Sequence, residues 1–423
     1  PDSFSPTLPT DAGPDTVPTE APPDSRINPR TGPASLSPSS RSHGPATDSR
    51  PTTSMLMAHE QQRLHFSGTG QEYFRIWVIN LALTVLTLGV YSAWAKIRRL
   101  RYFYRNTRLD GASFDYTATP GAVLLGRVLA LLLFLAFYGA FQWSAWAGGV
   151  ATLAAAAALP ALMWQANRFR ARNTVYRGLA FGFDGSLREA YITYALPLLV
   201  LFAPSVLADA LLARGQALWV VGLSAAAALT LPYFHAQLRR YLQRNLRYGD
   251  AAFGFDPTLR DFAQVWLRGL LLAALIIGAA VIALTVGGYI VGAVSRRTGA
   301  APLLMALLSA AVVVLAYAAL ASYYTARFQK LVWEGSAVDD MAFRCNISAR
   351  RLLRMQVSNT LLTIVTLGLY RPFAAVKVAK YRVESMAIVG AEHLGTFHRG
   401  GSATTGGATG DAAAPLFDLD IGL

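Results

Sequence analysis

Asn80, Thr84 and Thr87 stand at i, i+4 and i+7, on one face of a helix. The same three types recur near the other end of the chain as Asn359, Thr363 and Thr366. All six lie inside apolar runs, where polar side chains are functional candidates by default. Two chemistries fit them. They line a polar cavity that takes a small solute, or they hydrogen-bond between helices, as Asn and Thr do in membrane bundles.

Cations form the second set. Lys96, Arg98, Arg99, Arg101, Arg168, Arg240, Lys377 and Lys380 sit in short basic clusters, some interleaved with aromatics, as in RRLRYFYR and RRYLQR. Beside an anionic surface each Lys or Arg contributes roughly 1 kcal/mol. Membrane lipids, anionic ones above all, are the expected partners. The same clusters also set topology, and both roles hold together. Arg127 and Arg268 lie within apolar runs. Each either binds an anion there or snorkels to the headgroups, and snorkelling is the simpler reading. His235 reads as a structural residue near an interface.

Catalytic patterns are missing. The sequence has no GxSxG, HExxH, P-loop or dinucleotide fingerprint. Its six histidines are scattered, and the single Cys345 excludes an intrachain disulfide and a cysteine-built metal site. No enzyme activity, metal or cofactor is expected. The basic clusters match no nucleic-acid reader, so no nucleic-acid partner is expected either.

The elements that must position these residues are membrane helices. Of 423 residues, 53% are hydrophobic and 15% are charged, against about 25% charged in a soluble domain. AVLLGRVLALLLFLAFYGAF and LLLAALIIGAAVIALTVGGYIVGAV reach or exceed the roughly 18–20 residues that cross a bilayer. Residues 1–60 are rich in Pro, Ser and Thr and read as a disordered tail without a signal peptide. Pro1 is no initiator, so either the sequence is incomplete or a start lies later, for example at Met55 or Met57. Residues 396–423 read as a second flexible tail.

Between the tails the chain repeats. Asn106, Asn173 and Asn245 are each followed by an aromatic eight positions on (Phe114, Phe181, Phe253) and another ten positions on (Tyr116, Phe183, Phe255). Arg101, Arg168 and Arg240 precede the three Asn by five positions, and Lys330 and Lys380 hold that place before Gly335 and Ser385. Five units follow, about 64–111, 114–178, 181–250, 253–340 and 343–390. The apolar-x-aromatic piece suits a short strand. Thr69 with Glu72 and Ser186 with Glu189 have the spacing of helix capping boxes. The expected fold is an all-α polytopic membrane protein of helical-hairpin repeats, with short cytoplasmic strands between repeats.

Units two to four each hold two spans, about 121–142 and 146–166, 190–212 and 217–238, and 264–293 and 302–326. Junctions between units are densely basic and turns within units are not, which places the junctions and both termini in the cytoplasm. Units one and five have only short apolar stretches, ending in TLGVY and TLGLY. Gly89 and Gly368 suit a break between short helices, in a re-entrant hairpin or an interfacial bend. The alternative is one ordinary span each, giving eight.

FSGTGQEYFRIWVINLALTVLTLGVYSAWAKIRRLRYFYRNTRLDG resembles the YjgN-type bacterial membrane proteins, a family grouped as a domain of unknown function. The resemblance covers roughly residues 64–395. It implies a bacterial inner-membrane protein with several spans and brings no assigned activity. Copy five departs from it, with Arg371-Pro372-Phe373 in place of Ser92-Ala93-Trp94. Repeat architecture with broken helices suggests transport or permeation of a small solute or lipid, by analogy with transporters. The alternatives are a non-catalytic membrane scaffold or lipid-organising protein and, more weakly, a lipid-modifying enzyme. Nothing in the pattern sets an oligomeric state.

Overall fold

The computed structural model describes residues 61–294 and 301–390. Both expected tails lie outside the described residues.

Pairs of short strands alternate with helical excursions. β1 (Gln61–Arg63) and β2 (His65–Phe66) lead into α1 (Gly70–Leu86) and α2 (Ser92–Asn106). β3 (Thr107–Leu109) and β4 (Ala112–Tyr116) lead into α3 (Pro120–Trp143) and α4 (Ala145–Asn173). β5 (Thr174–Tyr176) and β6 (Leu179–Phe183) precede α5 (Leu187–Ala213), α6 (Ala217–Leu229) and α7 (Leu231–Arg244). β7 (Leu246–Tyr248) and β8 (Ala251–Phe255) precede α8 (Leu259–Val294) and α9 (Ala301–Glu334). β9 (Ser336–Val338) and β10 (Met341–Cys345) precede α10 (Ala349–Val365) and α11 (Arg371–Glu384), and β11 (Met386–Val389) follows. Six stretches are long and apolar enough to cross a membrane: α3, α4, α5, the continuous 217–244, 259–293 and α9.

The expected short strands between repeats are present, and they join into a barrel that the all-α expectation did not include. They pair antiparallel in the order β1-β11-β10-β9-β8-β7-β6-β5-β4-β3-β2. Only Leu64 separates β1 from β2, so the two ends of the sheet are one stretch of chain and the sheet closes into a barrel. Closure leaves no unpaired edge. Asp110 and Gly111 (φ 46° and 72°), like Arg177 and Gly178 (φ 47° and 78°), hold the left-handed pair that a two-residue hairpin turn of this type requires. Phe114 sits opposite Tyr176, Phe181 opposite Tyr248, Phe253 opposite Val338 and Phe343 opposite Ile388. These side chains pack together as the largest core cluster. Tyr176 Oη donates to the Leu109 carbonyl at 2.8 Å, and Tyr248 Oη to the Tyr176 carbonyl at 3.0 Å. The hairpins β5–β6 and β7–β8 are thereby each tied to the one before. Burial raises both phenol pKa values, that of Tyr248 to about 12.

Helix ends are fixed to the barrel in one way throughout. The Asn106, Asn173 and Asn245 amides donate to the carbonyls of Tyr102, Phe169 and Tyr241 at 2.8, 2.8 and 2.9 Å. Their own carbonyls accept the N–H groups of Ser67, Thr117 and Asp184, each at 2.9 Å. Gly335 and Ser385 accept from Asp256 and Asn346 at 3.0 and 2.8 Å. Capping boxes start α1 at Thr69 and α5 at Ser186.

Since β2 pairs with β3 and β10 with β11, α1–α2 and α10–α11 leave the barrel and return to the same side. Neither α1 nor α10 is among the six long apolar stretches found in the described residues. With 17 residues against 24, α1 runs about 25 Å and α3 about 36 Å at 1.5 Å per residue.

Tyr176→Phe should leave the buried Leu109 carbonyl without its donor and cost about 1–3 kcal/mol. The detergent-solubilised protein should then unfold at a lower temperature, while Tyr317→Phe, at a 75% exposed position, should not shift it. Equal midpoints for the two variants would show that the barrel does not need this tie.

Candidate functional site

A cavity of about 700 Å³ lies between the two short hairpins and the first long one. Its walls follow helical periodicity. α1 contributes Tyr73, Trp77, Asn80 and Thr84, and α2 contributes Ser92, Lys96, Arg99 and Phe103. Arg127 enters from α3, and Arg371 and Arg382 from α11. Phe66 and Phe114 of the barrel close one end. From Ser92 to Phe103 the cavity follows α2 for about 16 Å. Five cations line it, and its described lining residues include no carboxylate.

The polar contacts fix these side chains. Arg127 donates to Ser92 Oγ, which donates to the Gly89 carbonyl. Arg382 Nε donates to Gln329 Oε1 at 2.8 Å, and Gln329 Nε2 donates back to the Arg382 carbonyl at 3.3 Å. Arg99 and Arg371, from different hairpins, both lie within electrostatic reach of the Tyr73 phenol.

The six Asn and Thr residues divide. Asn80 and Thr84 line the cavity. Asn80 is 7% exposed, and its Oδ1 has no hydrogen-bond partner among the described residues. Thr84 donates to the Asn80 carbonyl and Thr363 to the Asn359 carbonyl, each at 2.6 Å. Thr87 and Thr366 hold the turns: they donate to Leu83 and Leu362, and accept the N–H groups of Tyr91 and Tyr370 at 2.9 and 3.0 Å. Asn359 and Thr363 lie on α10 and are not among the cavity's lining residues. Gly89 and Gly368 both have φ +94°, and a Cβ at either would meet nothing within 4 Å, so backbone angle rather than crowding calls for glycine. Their neighbours Leu88 and Leu367 are 95% and 93% exposed, which gives each hairpin an apolar tip.

The cations divide as well. Lys96 and Arg99 face the cavity. Arg98 and Lys377 are exposed elsewhere. Arg101 is turned onto the barrel, donating to the carbonyls of Tyr116 and Ala118 at 3.1 and 2.9 Å. Arg168 stacks over Trp164 at 4.8 Å, Arg240 reaches Gln237 at 3.5 Å, and Lys380 pairs with Glu384 at 3.8 Å. Arg127 lines the cavity, whereas Arg268 is exposed. His235 packs against Phe328 with ring centroids 4.2 Å apart and accepts from Trp266 Nε1 at 3.4 Å.

Sequence reasoning did not single out Ser92, Arg371 and Arg382 as site residues. The available signal was the departure of copy five, which sets Arg371 where copy one has Ser92.

Among the described residues, six membrane-capable helices rising from a strand barrel, with a cation-lined cavity beside two short hairpins, define a polytopic membrane protein. The chain belongs to the family described as bacterial protein of unknown function (DUF898), whose profile covers residues 61–416. It is 35% identical over 141 residues to the inner membrane protein YjgN of Escherichia coli O157:H7, covering 32% of this chain and 34% of that protein. It is 32% identical over 142 residues to the inner membrane protein YjgN of Salmonella typhimurium, covering 33% and 36%. The aligned stretch thus spans about a third of these relatives. No solved structure matches the chain.

Both amide atoms of Asn359, 5% exposed, lack hydrogen-bond partners among the described residues. Asn359→Leu should therefore keep or raise the unfolding midpoint, by up to about 1–3 kcal/mol of relieved desolvation. A clear fall would restore the interhelical hydrogen bond as this residue's role.

Proposed function

We propose that this chain is a multi-pass inner-membrane protein that permeates or transports a small solute or lipid along the cavity between its short hairpins. The supporting observation is the cavity itself: about 700 Å³, within the about 300–1,000 Å³ of small-molecule sites, reaching Asn80 and Thr84 on a short helix. A solid apolar core would instead have favoured a scaffold or lipid-organising protein. The lining offers cations, hydroxyls and an amide. Among its described residues no carboxylate or imidazole stands ready to move a proton, which favours binding over bond-breaking. The reading includes five repeated units on the barrel. It also sets the barrel, the basic junctions and both termini in the cytoplasm, with the turns at Ser144 and Gly215 outside.

Cysteine labelling tests both parts. With the buried native Cys345 replaced by Ala, Thr84→Cys and Ala95→Cys should react with a small water-soluble thiol reagent in open membranes, and Leu88→Cys at the apolar tip should not. Protection of both cavity positions would remove the permeation path. In intact cells an impermeant reagent should label cysteines at Ser144 and Gly215 and spare those at Arg105, Arg172 and Arg244. The reverse pattern would invert the topology.

A further inference from the structure

We infer that the cavity binds a phosphate group carried on an amphiphile, the headgroup of an anionic phospholipid entering from the bilayer; this deepens the permeation reading and rests on it for the route. Three separate hairpins bring the cations together: Lys96 and Arg99 from the first, Arg127 from the second, Arg371 and Arg382 from the fifth. Cations gathered beside apolar walls lose part of their hydration. Five like charges on one cavity also repel one another. An oxyanion relieves both costs. Arginine favours phosphate in particular, because its planar fork donates two parallel hydrogen bonds to neighbouring oxygens.

A second observation points the same way. Asn80 is more than nine-tenths buried, lines this cavity, and holds an Oδ1 with no hydrogen-bond partner among the described residues. An amide can present either its oxygen or its NH₂ group. It can therefore accept from a headgroup hydroxyl or donate to a phosphoryl oxygen.

The lining also selects between sources of phosphate. Trp77, Leu81, Leu100, Phe103 and Val378 place apolar surface beside the cations, which a free phosphate cannot use and a lipid can. The exposed apolar tips at Leu88 and Leu367 let acyl chains stay in hydrocarbon while the headgroup enters. Arg99 and Arg371, which line the same cavity from different hairpins, form the clamp.

The full-length protein purified in neutral detergent tests this. Phosphatidylglycerol should be retained in native mass spectra and raise the unfolding midpoint, and phosphatidylcholine should do neither. R99Q/R371Q should weaken phosphatidylglycerol retention at least tenfold, and R98Q, on an exposed position outside the cavity, should not. If R99Q/R371Q fails to fold, K96Q/R99Q serves in its place. Wild-type retention in a folded double variant overturns the proposal, as does equal retention of the two lipids. Inorganic phosphate and glycerol 3-phosphate form the soluble arm. Protection by either, without protection by phosphatidylglycerol, keeps the phosphate chemistry and overturns the lipid source. Loss of lipid specificity while Thr84→Cys still labels overturns the ligand and leaves the permeation path standing, and protection of Thr84→Cys and Ala95→Cys removes the path itself.

Discussion

Every helical excursion in this chain begins on one strand of a closed ring and ends on the neighbouring strand. That constraint fixes much else. A chain that must come back cannot cross a membrane an odd number of times between strands. Hairpins follow, whether their arms are long or short. The ring is held by its own backbone pairing and by contacts that reach from unit to unit. The Tyr176 and Tyr248 hydroxyls each bond the preceding hairpin, and the carbonyls at Asn106, Asn173, Asn245, Gly335 and Ser385 accept the N–H just past the strand that opens the same unit. These carbonyls sit at helix C-termini, where backbone acceptors would otherwise lack partners. Helix termination and barrel assembly are thus the same set of bonds.

The cavity follows from putting unequal excursions on an equal ring. Closure at Leu64 makes the first and last hairpins neighbours, although they lie at opposite ends of the sequence. Both are short, so a gap opens where longer helices would have filled it. The start of α1 meets the start of α11 closely. A Cβ on Gly70 would lie 2.5 Å from the Phe373 ring, and Phe74 and Phe373 have ring centroids 5.4 Å apart. The near-identity of TLGVY and TLGLY has its physical reason here. Both turns need a left-handed Leu-Gly pair, φ 49° and 94° in one and 51° and 94° in the other, and a threonine that accepts the N–H four residues on.

Much of this was legible in local pattern. Apolar length marked the long helices, the Asn–aromatic spacing marked where strands begin, and the capping boxes at Thr69 and Ser186 marked helix starts. The hairpins were harder to see. Strands of three and five residues carry too few alternations to stand out, and β3, β5 and β7 fell inside stretches read as basic exits. The dipeptides Asp110-Gly111 and Arg177-Gly178 were the overlooked signal, since their two-residue turns require left-handed backbone. Closure itself is non-local: nothing near Gln61 announces that it pairs with Val389. Direction was illegible too. Sequence gives the depth of Arg127 in its helix but not the side it faces, and so snorkelling looked simpler than a place in the cavity.

The arginines show why residue type alone could not assign the site. One cluster, RRLRYFYR, sends its cations to four surroundings. Arg98 is exposed. Arg99 lines the cavity. Arg101 binds strand carbonyls. Arg105 pairs with Asp115 at 2.9 Å and holds that carboxyl below its usual pKa through the hydrogen bond. Successive helix positions turn by about 100°, so neighbours in sequence face solvent, cavity and barrel in turn. Where the two short hairpins meet the first long one, Lys96, Arg99, Arg127, Arg371 and Arg382 line one shared cavity, because helix rotation and not residue type decides which cations turn that way.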